Sequence, residues 1–151
     1  MSDDVPALTA HLGYWLRQVS NHVSQAFARK VAAKGVTVAE WAVMRMLYGV
    51  PRVAPSALAE EMGMTRGAIS KLADRLVAKS LVVREGSAVD GRAHFLRLTP
   101  AGRRLVPELA ALAERNEAEC FAHLGEADRA ALRRILAETV GRLGITGMPV
   151  S

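Results

Sequence analysis

The chain has 151 residues, half of them hydrophobic, which is enough for one domain, or two small ones, with a core that needs no disulfides. Its single cysteine, Cys120, excludes an intrachain disulfide framework and a cysteine-based zinc site, as is typical of a reducing cytosol. Charges interrupt every apolar stretch and no basic leader precedes one, so we expect a cytoplasmic protein that contacts no membrane. The net charge is +5, and the basic excess is largest in residues 56–104, which suits either a polyanion-binding module or a solvated charged surface.

The first third of the chain predicts two helices. Apolar residues recur every three or four positions over residues 8–33, which is the pattern of a long amphipathic helix, and Gly35 ends it. A second helix begins after Thr37, which stands in the capping-box relation to Glu40. This second helix stops at the segment GVPRVAP.

The next stretch, PSALAEEMGMTRGAISKLADRLVAKSL, divides into two helices at Gly63. Ser56 is placed to cap the first of them and Thr65 to cap the second. A small residue, Ala59, is followed four positions later by the turn glycine and six positions after that by the branched apolar Ile69. This spacing is typical of a helix-turn-helix, and a generic helical hairpin is the alternative.

Two short β-prone runs, LVVRE and AHFLRL, come next and are joined by the loop GSAVDGR, which predicts an antiparallel hairpin. Thr99 and Pro100 then start a helix that runs toward Gly125, and a last helix covers about 127–143. The final residues, GITGMPVS, are expected to form a frayed tail. The predicted fold class is therefore mainly α with a small β-hairpin wing, a winged helix-turn-helix between N- and C-terminal helices.

The second helix of the motif carries the candidate DNA contacts. On the side away from its apolar stripe it offers Arg66, Ser70 and Lys71. Arg66 is placed to read a guanine, while Thr65 and Ser70 are placed to hold a phosphate at the positive end of the helix. Gly67, in the first turn, either lets the backbone approach DNA closely or simply occupies a position that tolerates glycine.

The hairpin tip offers a second contact. Arg92 lies beside Gly91 and is suited to entering a narrow minor groove. A solvated arginine next to a loop glycine is the alternative.

Four pieces of the sequence stand in the order and spacing of a known family: AEWAVM, LAEEMGMTRGAISKLADRLVAKSLVVRE, DGRAHFLRLT and TPAGRRL. Through them the chain resembles the MarR family of bacterial winged-helix transcriptional regulators. The resemblance implies a homodimer on double-stranded DNA. It implies a helical dimerisation region in 1–35 and 101–151, a DNA-binding domain in 36–100, a recognition helix at 65–79 and a wing at 84–97.

The resemblance also implies residue roles. Asp90 and Arg92 match the family's wing element, with Arg92 in the minor groove. Asp74 and Arg75 match a recognition-helix pair that helps hold the wing arginine and the DNA backbone, so Arg75 joins the candidate DNA contacts. The chain departs from the family pattern at Gly91, which removes one cationic wing contact, and at Gly67, where a side chain is commoner.

Members of the family often release DNA when a small aromatic or phenolic anion binds beside the winged domain. The candidate lining residues for such an effector are His11, Trp15, Trp41 and Met44, although aromatic residues at helical spacing are more often core. No cofactor and no metal are expected. His11 and His22 are about 16 Å apart by helical rise, and a lone i,i+4 pair of Glu119 and His123 is a weak signal. Cys120 is expected to be a buried, inert thiol.

These observations predict a sequence-specific DNA-binding regulator that acts as a repressor and binds palindromic operators as a homodimer, with half-sites about 10 bp apart. An enzyme is the first rival, but the sequence contains no phosphate-binding glycine loop, no G-x-S-x-G and no H-E-x-x-H. A winged-helix module for protein contacts, without ligand response, is the second. Steep loss of DNA affinity with rising salt would distinguish the DNA-binding reading from both rivals.

Overall fold

The computed structural model describes residues 4–86 and 94–150. Over these residues the chain forms α-helices on either side of a two-stranded antiparallel sheet, which confirms the predicted winged helix-turn-helix with flanking helices. A 3₁₀ turn covers Leu8–Ala10. The helices are α1 (Leu12–Ala32), α2 (Val38–Leu47), α3 (Pro55–Met62), α4 (Arg66–Ala78), α5 (Pro100–Phe121) and α6 (Glu126–Arg142), and the strands are β1 (Val82–Gly86) and β2 (His94–Leu98).

Three threonine caps are where the sequence predicts them. The Thr37 hydroxyl accepts from the Glu40 amide, and the Glu40 carboxylate accepts in return from the Thr37 amide, which completes the capping box of α2. Thr65 caps α4 by accepting from Ala68, and Thr99 caps α5 in the same way. Each cap fixes where its helix begins, because it satisfies an amide that would otherwise have no partner.

Two predicted helix starts are wrong. The first helix does not run unbroken from residue 8, since His11 has an extended backbone (φ −104°, ψ 132°) that separates the 3₁₀ turn from α1. Ser56 does not cap α3. Ala54 is the N-cap and Pro55 is the first helical residue, because proline fits a position whose amide needs no partner, so Ser56 lies inside the first turn.

The hydrophobic core joins the helix-turn-helix to the hairpin and to the start of α5. Its fully buried side chains include Met44 and Leu47 of α2, Leu58 and Met62 of α3, Ile69 and Leu76 of α4, Leu96 of β2 and Leu109 of α5. The strands pair from Val82 opposite Leu98 to Gly86 opposite His94. Val53 adds a further bridge by exchanging two backbone hydrogen bonds with Leu96, so a hairpin that would be marginal alone is anchored on its other edge as well.

A buried carboxylate fixes the C-terminal end of α4. Glu40 has no solvent exposure, and the ammonium of Lys79, the C-cap of α4, lies 2.9 Å from its Oε1 and 2.7 Å from its Oε2. Together with the Thr37 amide, these contacts give both oxygens a partner. The start of α2 is thereby tied to the end of α4.

The sequence predicts a frayed C-terminal tail, and this prediction is wrong. The Met148 amide donates to the Met62 carbonyl at 3.0 Å, and Val150 packs half-buried against the core. The tail therefore returns to the turn between α3 and α4. Composition alone could not indicate this contact, because the glycines and the proline that suggest fraying also permit close docking.

Candidate nucleic-acid interface

One side of helix α4 is buried against the core, and the opposite side is exposed to solvent. Ile69, Leu72 and Leu76 face the core. The opposite surface carries exposed residues at all five of the predicted contact positions in its first turns, namely Thr65, Arg66, Gly67, Ser70 and Lys71. A Cβ added to Gly67 would meet nothing closer than the Thr65 hydroxyl at 4.0 Å, so nothing in the described fold requires glycine there.

A cleft of about 400 Å³ lies beside this face, between α4, the start of α3 and the hairpin. Arg66 and Ser70 line it together with Arg84 and His94 of the strands. The cleft thus joins the exposed face of α4 to the base of the wing and carries two guanidinium groups. Such a surface is suited to a phosphate backbone, whose contacts are made mostly by arginine, lysine and serine side chains and by helix N-termini.

Sequence reasoning missed the hairpin residues of this surface. Arg84 forms an ion pair with Asp74 at 2.8 Å and donates to the Ser70 carbonyl at 3.3 Å, so α4 and β1 are joined. Arg52 stacks over the ring of Phe95, with its guanidinium carbon 4.1 Å from the ring centroid. Alternation along β1 could have placed Arg84 on the same face as buried Val82, but its partner on α4 depends on the packing of the two elements.

The resemblance assigned Asp74 to holding the wing arginine Arg92. Asp90 and Arg92 lie outside the described residues, so their predicted contacts stay predictions. Within the described residues, the arginine held by Asp74 is Arg84.

Arg75 is exposed one helical turn after Lys71, on the side of α4 away from Arg66. It follows Arg66 by nine positions, which is about 180° around a helix. Its side chain lines a second, larger cavity between α1, α2 and α5. Arg75 therefore stays a predicted DNA contact, and it also borders a cavity beside the helices that flank the winged domain.

The second cavity has a volume of about 1020 Å³ and is mainly apolar, with aromatic rings from three helices. Phe27 of α1, Trp41 of α2 and Phe121 of α5 line it, and Arg75 and Asn116 supply polar groups. Met148, Pro149 and Val150 of the tail line the same cavity. A mainly apolar concavity with a few polar groups is the usual form of a small-molecule site.

Of the four residues predicted to line an effector pocket, only Trp41 borders this cavity. His11 lines a separate cleft near the start of α1. Trp15 is 52% exposed, and its indole donates to the Thr9 carbonyl. Met44 is fully buried in the core. The structure does not bring the four together, because helical periodicity identifies an apolar face but not what that face contacts.

A polar network closes the cavity between α1 and α5. The buried amide of Asn116 donates to the Val23 carbonyl at 3.1 Å and accepts from Lys30 at 2.9 Å. Lys30 also lies 2.8 Å from Glu119, and the hydrogen bonds from Lys30 and then Arg115 hold the pKa of Glu119 below its usual value. The Glu119 carboxylate therefore forms ion pairs with Lys30 and Arg115.

The described residues include no group of three or more histidine, cysteine, aspartate or glutamate side chains that could hold a metal ion. Cys120 is half-buried rather than fully buried as predicted, and it lies one residue before the end of α5. No helix in residues 4–86 and 94–150 has both the length and the apolar character needed to cross a membrane.

Comparison with known proteins agrees with this architecture. A family model described as the MarR family matches residues 34–93. A protein of Thauera aromatica, named as a candidate transcriptional regulatory protein for the hcr operon, is 29% identical over 131 residues, which span 86% of this chain and 79% of that protein. A helix-turn-helix transcriptional repressor of Mycobacterium tuberculosis is 26% identical over 136 residues, 90% of this chain and 94% of its own length.

Among solved structures, the transcriptional repressor CouR bound to a 23-mer DNA duplex is 31% identical, with a TM-score of 0.77. The similarity covers 88% of this chain and 94% of CouR. The shared region therefore includes the flanking helices as well as the winged domain.

Proposed function

Because the chain belongs to the MarR family of transcriptional regulators, which bind DNA, we propose that it acts as a homodimeric repressor of palindromic operators and releases DNA when a small aromatic or phenolic ligand binds. The exposed face of α4 carries the proposal. It combines a capped N-terminus, Arg66, Ser70 and Lys71 on one side with a fully packed opposite side. A helix held in this way fits the major groove, with its first residues at the base edges.

We also propose that residues 36–100 form the DNA-binding domain and that residues 1–35 and 101–151 form the dimer interface. In support, α6 has no buried residue although it carries a row of large apolar side chains, namely Leu132, Ile135, Leu136 and Val140. The first turns of α1 are similar, with Leu12 81% exposed. Apolar faces of this extent favour a second copy as the partner, and a twofold dimer explains why an operator would be palindromic.

The ligand response is assigned to the cavity lined by Phe27, Trp41 and Phe121. Their rings suit an aromatic molecule, and Arg75 suits an acidic or phenolic substituent. Since Arg75 lies on α4, a ligand that binds it contacts the recognition helix directly. Ligand binding would then weaken DNA binding if the ligand binds more tightly to a position of α4 other than the one that DNA requires.

Selection of bound sequences from a random DNA pool tests the DNA-binding part of this proposal. A palindromic consensus with half-sites about one helical turn apart is expected, and its affinity should fall steeply as salt rises. The selection is then repeated with a panel of aromatic acids, and loss of binding with one of them identifies an effector class. A consensus without twofold symmetry would contradict the dimeric arrangement.

The dimer is tested by analytical ultracentrifugation. Ile135→Ser combined with Leu136→Ser should weaken association, while Arg134→Ser on the same helix should not, because the serine at position 134 replaces a charged surface group rather than apolar contact area. Equal association of both variants would exclude α6 from the interface.

A further inference from the structure

The last described residues of the chain form a small, specific contact with the helix-turn-helix. After α6 ends at Arg142, the chain doubles back so that the Met148 amide donates to the Met62 carbonyl at 3.0 Å. Met62 is the last residue of α3, immediately before the turn that leads into α4. The tail therefore binds at the one segment whose conformation sets the angle between α3 and the recognition helix.

Two glycines make this contact possible. Gly63 and Gly147 both have positive φ, 65° and 85°. A Cβ on Gly63 would lie only 2.5 Å from the Gly147 Cα, a distance that no packed pair of carbon atoms adopts. Gly63 thus serves both the left-handed turn that the helix-turn-helix needs and the close approach of the tail.

The same segment forms part of the cavity assigned to the effector. Met148, Pro149 and Val150 line it, and Val150 also packs against the core. These three side chains are apolar, as an aromatic ligand would be. They stand in the same lining as the rings of Phe27, Trp41 and Phe121, which such a ligand would contact.

We propose that residues 147–150, which we call the C-terminal strap, are a displaceable part of the wall of the effector cavity: an aromatic ligand competes with the strap for contact with the rest of the wall, and the seated strap braces the turn between α3 and α4. This inference rests on the proposed ligand response. Within residues 147–150, the strap is held by one backbone hydrogen bond, the packing of Gly147 on Gly63 and one half-buried valine, with chain entropy opposing all three. A segment held so lightly belongs to the low-stability parts of a fold, from which switching elements are drawn.

The first test compares two substitutions at one position. Met148→Pro removes the amide that donates to Met62, whereas Met148→Ala keeps it, so their difference isolates the anchoring bond. The probe is 8-anilinonaphthalene-1-sulfonate, an aromatic anion whose fluorescence reports binding. We expect the proline variant to bind it about three- to tenfold more tightly than the alanine variant, the range that corresponds to one hydrogen bond. Equal or weaker binding by the proline variant would overturn the competition.

The second test disturbs the contact from the other side. Gly63→Ala should unseat the strap through the clash with Gly147, while Gly35→Ala imposes the same positive-φ strain (φ 84°) where a Cβ meets nothing within 4 Å. Hydrogen exchange of the Met148 amide, followed by NMR, reports seating directly. The amide should be protected in the wild type and in Gly35→Ala and should exchange faster in Gly63→Ala.

Titrating the wild type with the same probe separates the two levels of the proposal. Faster exchange of the Met148 amide as the cavity fills supports the strap. If the probe binds and the amide stays protected, the strap is wrong and the effector cavity stands. If no variant binds the probe, the strap proposal and the cavity assignment both fail, while operator binding is decided by the DNA selection alone.

Discussion

Removing the Lys79 ammonium should destabilise the fold more than removing that of Lys71, the other lysine of this helix. Lys79→Met leaves the Glu40 carboxylate fully buried with only the Thr37 amide as a partner, because both of its other contacts come from Lys79. Methionine keeps most of the aliphatic stem, so packing changes little. The cost is that of an uncompensated buried charge.

The magnitude follows from the burial of the two partners. Breaking a fully buried ion pair by removing one member costs about 3–5 kcal/mol. The Lys79 side chain is 38% exposed, and solvent screening weakens its share of the interaction, which reduces the expected loss to about 2 kcal/mol. Replacing the carboxylate as well, in Glu40→Gln with Lys79→Met, should recover all but about 1 kcal/mol of it, because the amide oxygen still accepts from Thr37 and no buried charge remains.

Urea unfolding followed by far-UV circular dichroism measures these differences, with all variants at one protomer concentration because association contributes to stability. Lys71→Met is the matched control, an exposed lysine of the same helix whose loss should cost no more than about 0.5 kcal/mol. The reasoning is refuted if Lys79→Met is no less stable than Lys71→Met. It is equally refuted if the double variant is as unstable as Lys79→Met alone.

Four further outcomes are expected. Arg92→Ala should weaken binding to all DNA sequences and flatten the dependence of affinity on salt, so an unchanged slope in a salt titration would remove the wing from the interface. Arg66→Ala should relax specificity at one position in each half-site by about 1–3 kcal/mol, and an unaltered consensus from selection would make Arg66 a phosphate contact only. Gly67→Ala should raise the free energy of unfolding by up to about 1 kcal/mol. If the variant also binds the operator more weakly, the helix approaches DNA closely at this position, and if its operator affinity is unchanged, the position merely tolerates glycine. Because the pKa of Glu119 is lowered from 4.5, its carboxylate stabilises the fold fully above that pH and ceases to do so as pH falls through the lowered value. The stability difference between wild type and Glu119→Gln, measured by urea unfolding, should therefore shrink as pH falls below 4.5 and vanish once Glu119 is protonated in the folded protein.

What could be predicted from the sequence is what depends on neighbours in the chain. The caps at Thr37, Thr65 and Thr99 are local hydrogen bonds between residues three apart, and the turn at Gly63 depends on one backbone conformation. Such features need only the right residue at the right spacing, and the structure has them as predicted. The order of helices and hairpin follows in the same way from periodicity.

What could not be predicted depends on contacts between distant segments. Lys79 meets Glu40 across 39 positions, and Asn116 meets Lys30 across 86. No spacing rule links these residues, because the contacts exist only after the helices have packed. Arg75 illustrates the same limit within one helix: its position opposite Arg66 on α4 could be counted from the sequence, but the cavity that it lines could not.

The ion pair between Asp74 and Arg84 has a consequence for how operators can vary. It links α4 to β1, so in the proposed DNA complex it would help to fix the helix in the major groove relative to the strand beside the wing. The distance between the two tracts of base pairs that they touch is then set by the protein and not by the DNA. Within a half-site, substitutions of bases would be graded in their effect, whereas insertion of a single base pair between the two tracts would shift one of them out of reach. Operators for this protein should therefore vary in base sequence but keep a fixed spacing between the two contacted tracts.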